Sequence, residues 1–443
     1  MSRLARRALP YLSAALTHAR TRAVRRALAE GRRRLAREPH RVRYFHQVDD
    51  PYSHLAAQRL GELLARYDVV LEPHLVGPPP DDAAPERERL EAYARRDAAD
   101  VAPFYGLDFP AKAAAPDPSD VEFANRLAAR AIASGRFVEE AASIGGALWQ
   151  GGGAVQSLGA RLVPAEAAAV RTALEAGNAL RRRTGHYLGG MFHYGGEWYW
   201  GVDRLWHLER RLQGLGRLRP GSSAAPLAAR PDPRRDPPVE SPRRLRLEFY
   251  PSLRSPYTAI AMGRVLELPE RLPVDLVLRP VLPMVMRGLP VPAAKRLYIV
   301  LDTKREAEDA GEPFGFACDP VGRPVERGYS LFPWAREKGR GAELLHAFTR
   351  AAFSEGVDTG TDDGMRHVVE RAGLSWDEAR VHLDGDDWRD ELEANRERLL
   401  EEGLWGVPSF RLLGEDGEPD YATWGQDRIW RLELEIRRRL GAA

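Results

Sequence analysis

Three short stretches in the second half of the chain combine residue types suited to holding a thiol-bearing peptide. In the first, Ser255 precedes Pro256 where a helix is expected to begin after an apolar strand. Proline is pre-organised for the first helical position, and serine closes the free N–H groups there. The same geometry can do more than cap. A helix start carries partial positive charge, so a thiol brought to it ionises more readily, and a serine hydroxyl can donate a hydrogen bond to the thiolate. Capping alone is the plainer reading. The second stretch is GLWGVPSF from Gly403, with Val407-Pro408 between a helix and a strand. A cis bond there would turn the chain and leave the Val407 N–H and C=O unpaired at a sheet edge, open to an extended peptide; an ordinary edge proline is the alternative. The third is WGQDR from Trp424, where Gln426 and Asp427 stand at the start of the last helix. Amide donors at that position suit a carboxylate, and Asp427 either accepts an ammonium group or caps the helix beside Arg428.

The elements that must position these residues occur twice. VRYFHQVDDPYSHLA from Val42 and LRLEFYPSLRSPYTAIA from Leu245 each run a short apolar strand into a Pro-Tyr helix start, and WGVDRLWHLE from Trp200 matches WGQDRIWRLE from Trp424. Two landmarks in the same order at comparable separation point to tandem copies of one fold. Each copy reads as strand, helix, second strand (DVVLEPHLV from Asp68; VDLVLRPVL from Val274), a long helical insertion, two short strands and a final helix (Asp203 to Leu212; Asp427 to Leu440). That is the order of a thioredoxin-like fold, so the expected class is α/β, with two tandem thioredoxin-like domains, each carrying a helical insertion. The expected boundaries are a basic helical segment at 1–38, a first domain at 39–218, a Pro- and Arg-rich linker at 219–243 and a second domain at 244–443.

The first copy departs from the second where chemistry would be read. Asp50 takes the place of Ser255, and Gly190 that of Pro408. A carboxylate at the helix start repels a thiolate and takes the positive helix end for itself, so this copy is expected to be degenerate. A separate acid–base role for Asp49, Asp50, His46 and His54 is the alternative. The aromatic run from Phe192, with Tyr194, Trp198 and Trp200 around Gly195-Gly196, reads as cross-strand pairs of a β-hairpin.

The 443 residues suit two average domains, and the apolar share of 44% with 29% charged residues suits a folded chain. Net charge is only +2, and Lys112, Lys295, Lys304 and Lys338 are the sole lysines, so no nucleic-acid partner is expected. One cysteine, Cys318, removes internal disulfides and C-x-x-C chemistry, and the scattered histidines lack ligand spacing, so no metal is expected. A reducing cytoplasm fits, and no run of apolar residues is long enough to span a membrane. In residues 1–38, arginines alternate with Leu4, Leu9, Leu12, Ala15 and Leu16 at helical spacing. An amphipathic helix packed on the first domain with a solvated arginine face is expected, with contact to an anionic membrane as the alternative.

FYPSLRSPYTAIA, KRLYIVLD from Lys295, GLWGVPSF and WGQDRIWRLE resemble the 2-hydroxychromene-2-carboxylate isomerase and kappa-class glutathione transferase family, a branch of the DsbA-type thioredoxin-like proteins. The resemblance covers nearly all of the second half. It implies glutathione as cofactor, with Ser255 holding the sulfur, Val407 beside Pro408 pairing with the peptide backbone, and Gln426 and Asp427 meeting the γ-glutamyl group. Asn395 matches an asparagine of similar isomerases. Tyr257, Lys295, Tyr298 and Asp302 match the border of the substrate pocket, although spacings of three and four also fit one face of a structural helix. The implied partner is a small electrophile or conjugated aromatic acid. The alternative is a thiol-disulfide oxidoreductase-like protein without catalytic cysteines that acts as a non-catalytic binding module.

Overall fold

The computed structural model describes residues 3–415 and 417–442, and describes no side chain for residues 3–7, so the expectation for Leu4 lies outside the described residues. The chain divides into two units, Ala23–Pro231 and Met1–Arg22 with Asp232–Ala443. It begins with helices α1 (Arg3–Thr17) and α2 (Ala19–Leu35). The first unit continues with β1 (Arg41–His46), α3 (Pro51–Ala57), α4 (Leu60–Arg66) and β2 (Val70–Leu75). A helical insertion follows: α5 (Arg87–Val101), α6 (Pro118–Ala133), α7 (Phe137–Gln150), α8 (Ala154–Leu158) and α9 (Ala167–Arg183). The unit closes with β3 (Met191–Tyr194), β4 (Glu197–Trp200) and α10 (Leu205–Gly214).

The second unit repeats this plan. It has β5 (Leu245–Tyr250), α11 (Pro256–Leu266), α12 (Leu268–Arg271) and β6 (Val274–Leu278). Its insertion comprises α13 (Ala293–Ala310), α14 (Arg323–Glu337), α15 (Gly341–Phe353), α16 (Asp362–Arg371), α17 (Trp376–Ala379) and α18 (Trp388–Glu401), and it ends with β7 (Ser409–Leu412), β8 (Tyr421–Trp424) and α19 (Ile429–Arg439). The two sheets have the same strand order, β2-β1-β3-β4 and β6-β5-β7-β8. In each, the first two strands are parallel and the last two antiparallel. The hairpin of the first unit turns on Gly195 and Gly196, both at positive φ, and pairs His193 with Trp198 and Met191 with Trp200.

β5 alternates, with Leu245, Leu247 and Phe249 on one face and Arg246, Glu248 and Tyr250 on the other. Phe249 stacks on its cross-strand partner Phe410 at 5.3 Å, and Leu247, Ile260, Val265, Phe348 and Leu432 fill the surrounding core. One buried carboxylate lies on the other face. Glu248, wholly excluded from solvent, accepts from Arg279 at 2.9 Å and from the Tyr250 hydroxyl at 2.8 Å, with Arg411 at 3.4 Å and Arg398 at 3.6 Å. Burial alone would push its pKa up, but the hydrogen bonds from Tyr250 and Arg279 outweigh it and hold the group below the usual carboxylate range.

The division between the units, at Pro231, falls inside the expected linker 219–243, and each side of it is held to its own unit. Arg219 N–H bonds to Arg66 O at 2.8 Å, and Leu227 is buried in the core of the first unit with its N–H on the Glu209 carboxylate at 3.1 Å. Farther on, Arg271 donates to Pro233 O at 3.0 Å and Arg437 to Pro237 O at 2.9 Å within the second unit. Prolines lose a donor but keep a carbonyl, and arginines take those carbonyls. One expectation is corrected: α1 groups with the second unit rather than the first. Tyr11 meets Phe316 edge-on at 5.3 Å, Thr17 Oγ1 donates to Gly315 O at 3.2 Å, and Arg22 pairs with Glu308 at 2.7 Å. Gly315, at φ 123°, admits Thr17 where a side chain would collide with it.

Removing Glu248 leaves its arginines around an uncompensated site. Glu248→Ala is expected to lower the unfolding free energy of the full chain by about 3–5 kcal/mol in urea denaturation. Because the folded pKa is depressed, the stability that Glu248 confers is present above its ordinary value of 4.5 and is lost as pH falls through the folded value, a slope the variant should lack.

Candidate active site at the start of α11

Helix α11 begins where Ser255, in extended conformation, caps it and Pro256 fills the first helical position. Ser255 Oγ accepts from Thr258 N–H at 3.1 Å, and its own proton points to Val407 O across a long 3.5 Å. The acceptor side of the hydroxyl is thus committed to the helix while its proton is held weakly. Ser255 and Val407 are both partly exposed, whereas Pro408 is buried. The Val407-Pro408 peptide is cis, and Pro408 O accepts from Gly425 N–H at 2.9 Å, tying the loop to the end of β8. Among the described residues the Val407 N–H makes no hydrogen bond. At the positive end of α11 the Ser255 hydroxyl therefore meets Val407, whose carbonyl it reaches and whose N–H has no bond among the described residues.

The first turns of α13 flank this place. Lys295 Nζ lies over the ring of Trp405 at 5.3 Å, and burial brings its pKa down to about 8. Tyr298, one turn on, is buried. Tyr257 donates to Asp302 Oδ2 at 2.8 Å, and Arg305 donates to the other oxygen at 3.0 Å. Asp302 is wholly buried in these bonds, so it holds α13 against α11 rather than facing a ligand.

Two further residues implied as ligand contacts are engaged inside the protein. Gln426 is 2% exposed, donates to Glu306 at 2.7 Å and accepts from Arg264 at 3.1 Å. It lies in a short 3-10 turn, Gln426–Arg428, that precedes α19, so the helix expected from Asp427 begins two residues later, at Ile429. Asn395 is buried on α18 and donates to Pro280 O at 3.0 Å, which fastens the loop after β6. Asp427 remains partly exposed beside Gly425. Four residues passed over in the sequence shape the site: Arg264, Glu306, Trp405 and Gly406. Trp405 packs edge-on to Trp424 at 5.7 Å, and an added Cβ at Gly406 would run into the Trp424 ring. The repeated tryptophan and glycine of GLWGVPSF and WGQDR were the available signal, and packing supplies their reason.

In the first unit the same place is closed. Asp50 accepts from Tyr52 N at 3.3 Å, Ser53 N at 2.8 Å and Ser53 Oγ at 2.7 Å. Gly190, at φ 64°, abuts Asp50 with no room for a side chain, and its carbonyl accepts from Gly201 N–H at 2.8 Å, as Pro408 does from Gly425. The adjoining cavity, about 50 Å³ and lined by Asp49, Asp50, Arg87, Glu91 and Trp200, has room for a few waters. Burial lowers His46 to about 3 and His54 to about 4, so both are neutral core residues and the acid–base alternative has no partner in them. Among the described residues no group of three or more His, Cys, Asp or Glu is placed to hold a metal ion, and Cys318 is buried.

Residues 246–437 match the family model described as a DSBA-like thioredoxin domain. The second unit carries a DSBA-like thioredoxin domain. Solved structures with similarity to it include a 2-hydroxychromene-2-carboxylate isomerase, at 19% identity over 45% of this chain and 99% of that one, with a TM-score of 0.37. A probable DsbA oxidoreductase from Streptomyces coelicolor matches at 20% identity over 45% and 91% of the two chains, with a TM-score of 0.35. The cytosolic disulfide reductase DsbM from Pseudomonas aeruginosa, solved with GSH, matches at 19% identity over 44% and 100%, with a TM-score of 0.33. No curated protein matches the chain. Within the DSBA-like domain, Ser255 holds the α11 start and no cysteine lies in β5, α11 or the loop between them.

The Asp50 carboxyl supplies a test of the first unit. Burial pushes its pKa up from 3.8 to about 6 against the opposing hydrogen bonds from Ser53. A raised carboxyl stabilises the fold at pH below its unfolded value, and that contribution is lost as pH rises through about 6. Asp50→Asn keeps the cap, so urea unfolding of wild type should weaken relative to the variant across this interval, by up to about 3 kcal/mol. Parallel pH profiles would contradict the assignment.

Proposed function

We propose that the DSBA-like domain is a glutathione-dependent enzyme of the 2-hydroxychromene-2-carboxylate isomerase and kappa transferase type, in which Ser255 holds the glutathione sulfur. The observation that carries this reading is the juxtaposition of the weakly held Ser255 proton with the unpaired Val407 N–H at the start of α11. A tripeptide thiol requires both: a donor for its ionised sulfur and a main-chain partner for its extended backbone.

The fit is supported residue by residue. Ser255 Oγ keeps its acceptor side on Thr258 N–H, so its proton can turn from Val407 O, 3.5 Å away, toward a thiolate without uncapping the helix. The helix dipole adds to the same stabilisation. Lys295 stays mainly cationic at neutral pH with a pKa of about 8, and Trp405 fixes its head near the Val407 loop, so it suits a carboxylate of the bound peptide or of an acidic substrate. Asp427 is partly exposed and is an acid suited to an ammonium group, whereas Gln426 is engaged with Glu306 and Arg264. When bound, glutathione would supply a thiolate able to add to a conjugated double bond. The partner class is accordingly a small electrophile or conjugated aromatic acid, and a reducing compartment such as the cytoplasm suits both the cofactor and the lone Cys318.

Titration of glutathione on the full chain, followed by ultraviolet thiolate absorbance, tests the reading. Ser255→Ala should raise the apparent pKa of the bound thiol by roughly one to two units, the worth of a hydrogen bond to a charged group. The lost cap should also cost about 1 kcal/mol of stability. Unchanged absorbance and turnover would remove Ser255 from the mechanism. Lys295→Met should weaken glutathione or the acidic substrate roughly tenfold and abolish any inflection near pH 8, while leaving the thiolate signal in place at saturation. Calorimetry with glutathione and with a tripeptide of ordinary α-linkage separates the enzyme from a non-catalytic peptide-binding module, which has no reason to prefer the γ-glutamyl linkage.

A further inference from the structure

The helix α2 leaves its aliphatic residues in solvent. Its side toward the first unit is charged: Arg26 forms a two-pronged pair with Glu197 at 2.8 and 2.9 Å, and Arg33 bonds to Glu30 at 2.6 Å and to Glu38 O at 2.5 Å. Its outer side is aliphatic. Val24 and Leu28 are each 57% exposed and Leu35 is 88% exposed. At roughly 100° per residue, these three and Gly31 fall within a stripe about 60° wide. The expected solvated arginines are present, Arg20, Arg25, Arg32, Arg34 and Arg37 being exposed, but Val24, Leu28 and Leu35 share the solvent side with them instead of lying on the protein.

What flanks the stripe decides what can cover it. Arg32 is exposed, Arg34 is exposed while sharing Glu30 with Arg33 at 2.9 Å, and eight arginines stand against two glutamates between Ala19 and Glu38. A second copy of the same face would bring these arginines against their own counterparts, which like-charge repulsion disfavours. An occupant must be apolar in a narrow band and negative on both sides of it. An anionic lipid surface has that profile. Aliphatic side chains enter the acyl boundary, while the long arginine stems lie along it and keep their guanidinium groups among the phosphates. We propose that α2 is a peripheral anchor that lays Val24, Leu28 and Leu35 on an anionic membrane surface, with Arg32 and Arg34 on the lipid phosphates. Among the described residues no helix is long and apolar enough to cross a membrane, so the contact is interfacial.

The experiment is co-sedimentation of the full chain with vesicles of phosphatidylcholine alone and of phosphatidylcholine with phosphatidylglycerol. Binding is expected only to the second, and it should fall as salt rises, because the arginine contribution is screened. Leu28→Glu with Leu35→Glu should reduce binding by roughly tenfold or more, and Arg32→Ser with Arg34→Ser by severalfold. All four positions are exposed, and unchanged circular dichroism melting verifies that the variants fold. Equal binding to both vesicle types, no binding to either, or binding indifferent to the leucine pair would overturn the proposal. So would sedimentation equilibrium showing an oligomer that the leucine substitutions dissolve, since the stripe would then belong to a second copy.

Discussion

A helix cannot begin inside a protein without closing its first N–H groups, and this requirement governs the second unit. Ser255 meets it with a lone pair, which leaves the hydroxyl proton unclaimed except by a distant carbonyl. Everything around α11 keeps that proton in reach of solvent. The Tyr257–Asp302–Arg305 chain fixes α13 alongside, Gly425 holds the Pro408 carbonyl, and Gly406 lets Trp424 settle against the loop. A residue that capped with a charge would satisfy the backbone equally well and leave nothing to donate.

The first unit shows that outcome. Its sheet has the same order and directions, and the Gly201-to-Gly190 bond repeats the Gly425-to-Pro408 bond. Asp50 nevertheless closes the start of α3 with both of its oxygens on N–H and O–H donors. One architecture thus carries two end states that differ in a single capping group and in the glycine beside it. Topology is set by strand pattern and core, while the group presented at the helix start, a hydroxyl or a carboxylate, is set by one side chain.

Much of this was legible in the sequence because it rests on local rules. Pro256 and Pro51 announce helix starts, Gly195-Gly196 announces a hairpin, and the paired WG-x-DR stretches announce a common closing turn. What escaped the sequence depends on partners far along the chain. Gln426 looked available, but Glu306, 120 positions earlier, holds its amide. Asn395 looked like a ligand contact and instead secures the loop at Pro280. Lys295, Tyr298 and Asp302 share one face, as their spacing allowed, yet tertiary contacts divide them: Asp302 is sealed in the packing and Lys295 stands at the margin. The anchoring of the connector at 219–243 escaped likewise: its prolines carry no donors, but its carbonyls attract arginines from both ends.

Lys295 also sets a limit on durability. A lysine of ordinary basicity is almost wholly protonated and inert in mild alkali, but one with a pKa of about 8 presents a substantial share of free amine there. It is one of only four amine side chains in the chain, and it stands beside the loop that would receive reactive compounds. Under the proposed function, an acceptor that lingers unconsumed would meet this nitrogen as well as the glutathione sulfur. Progressive alkylation of this one position would then be the characteristic way the protein wears out.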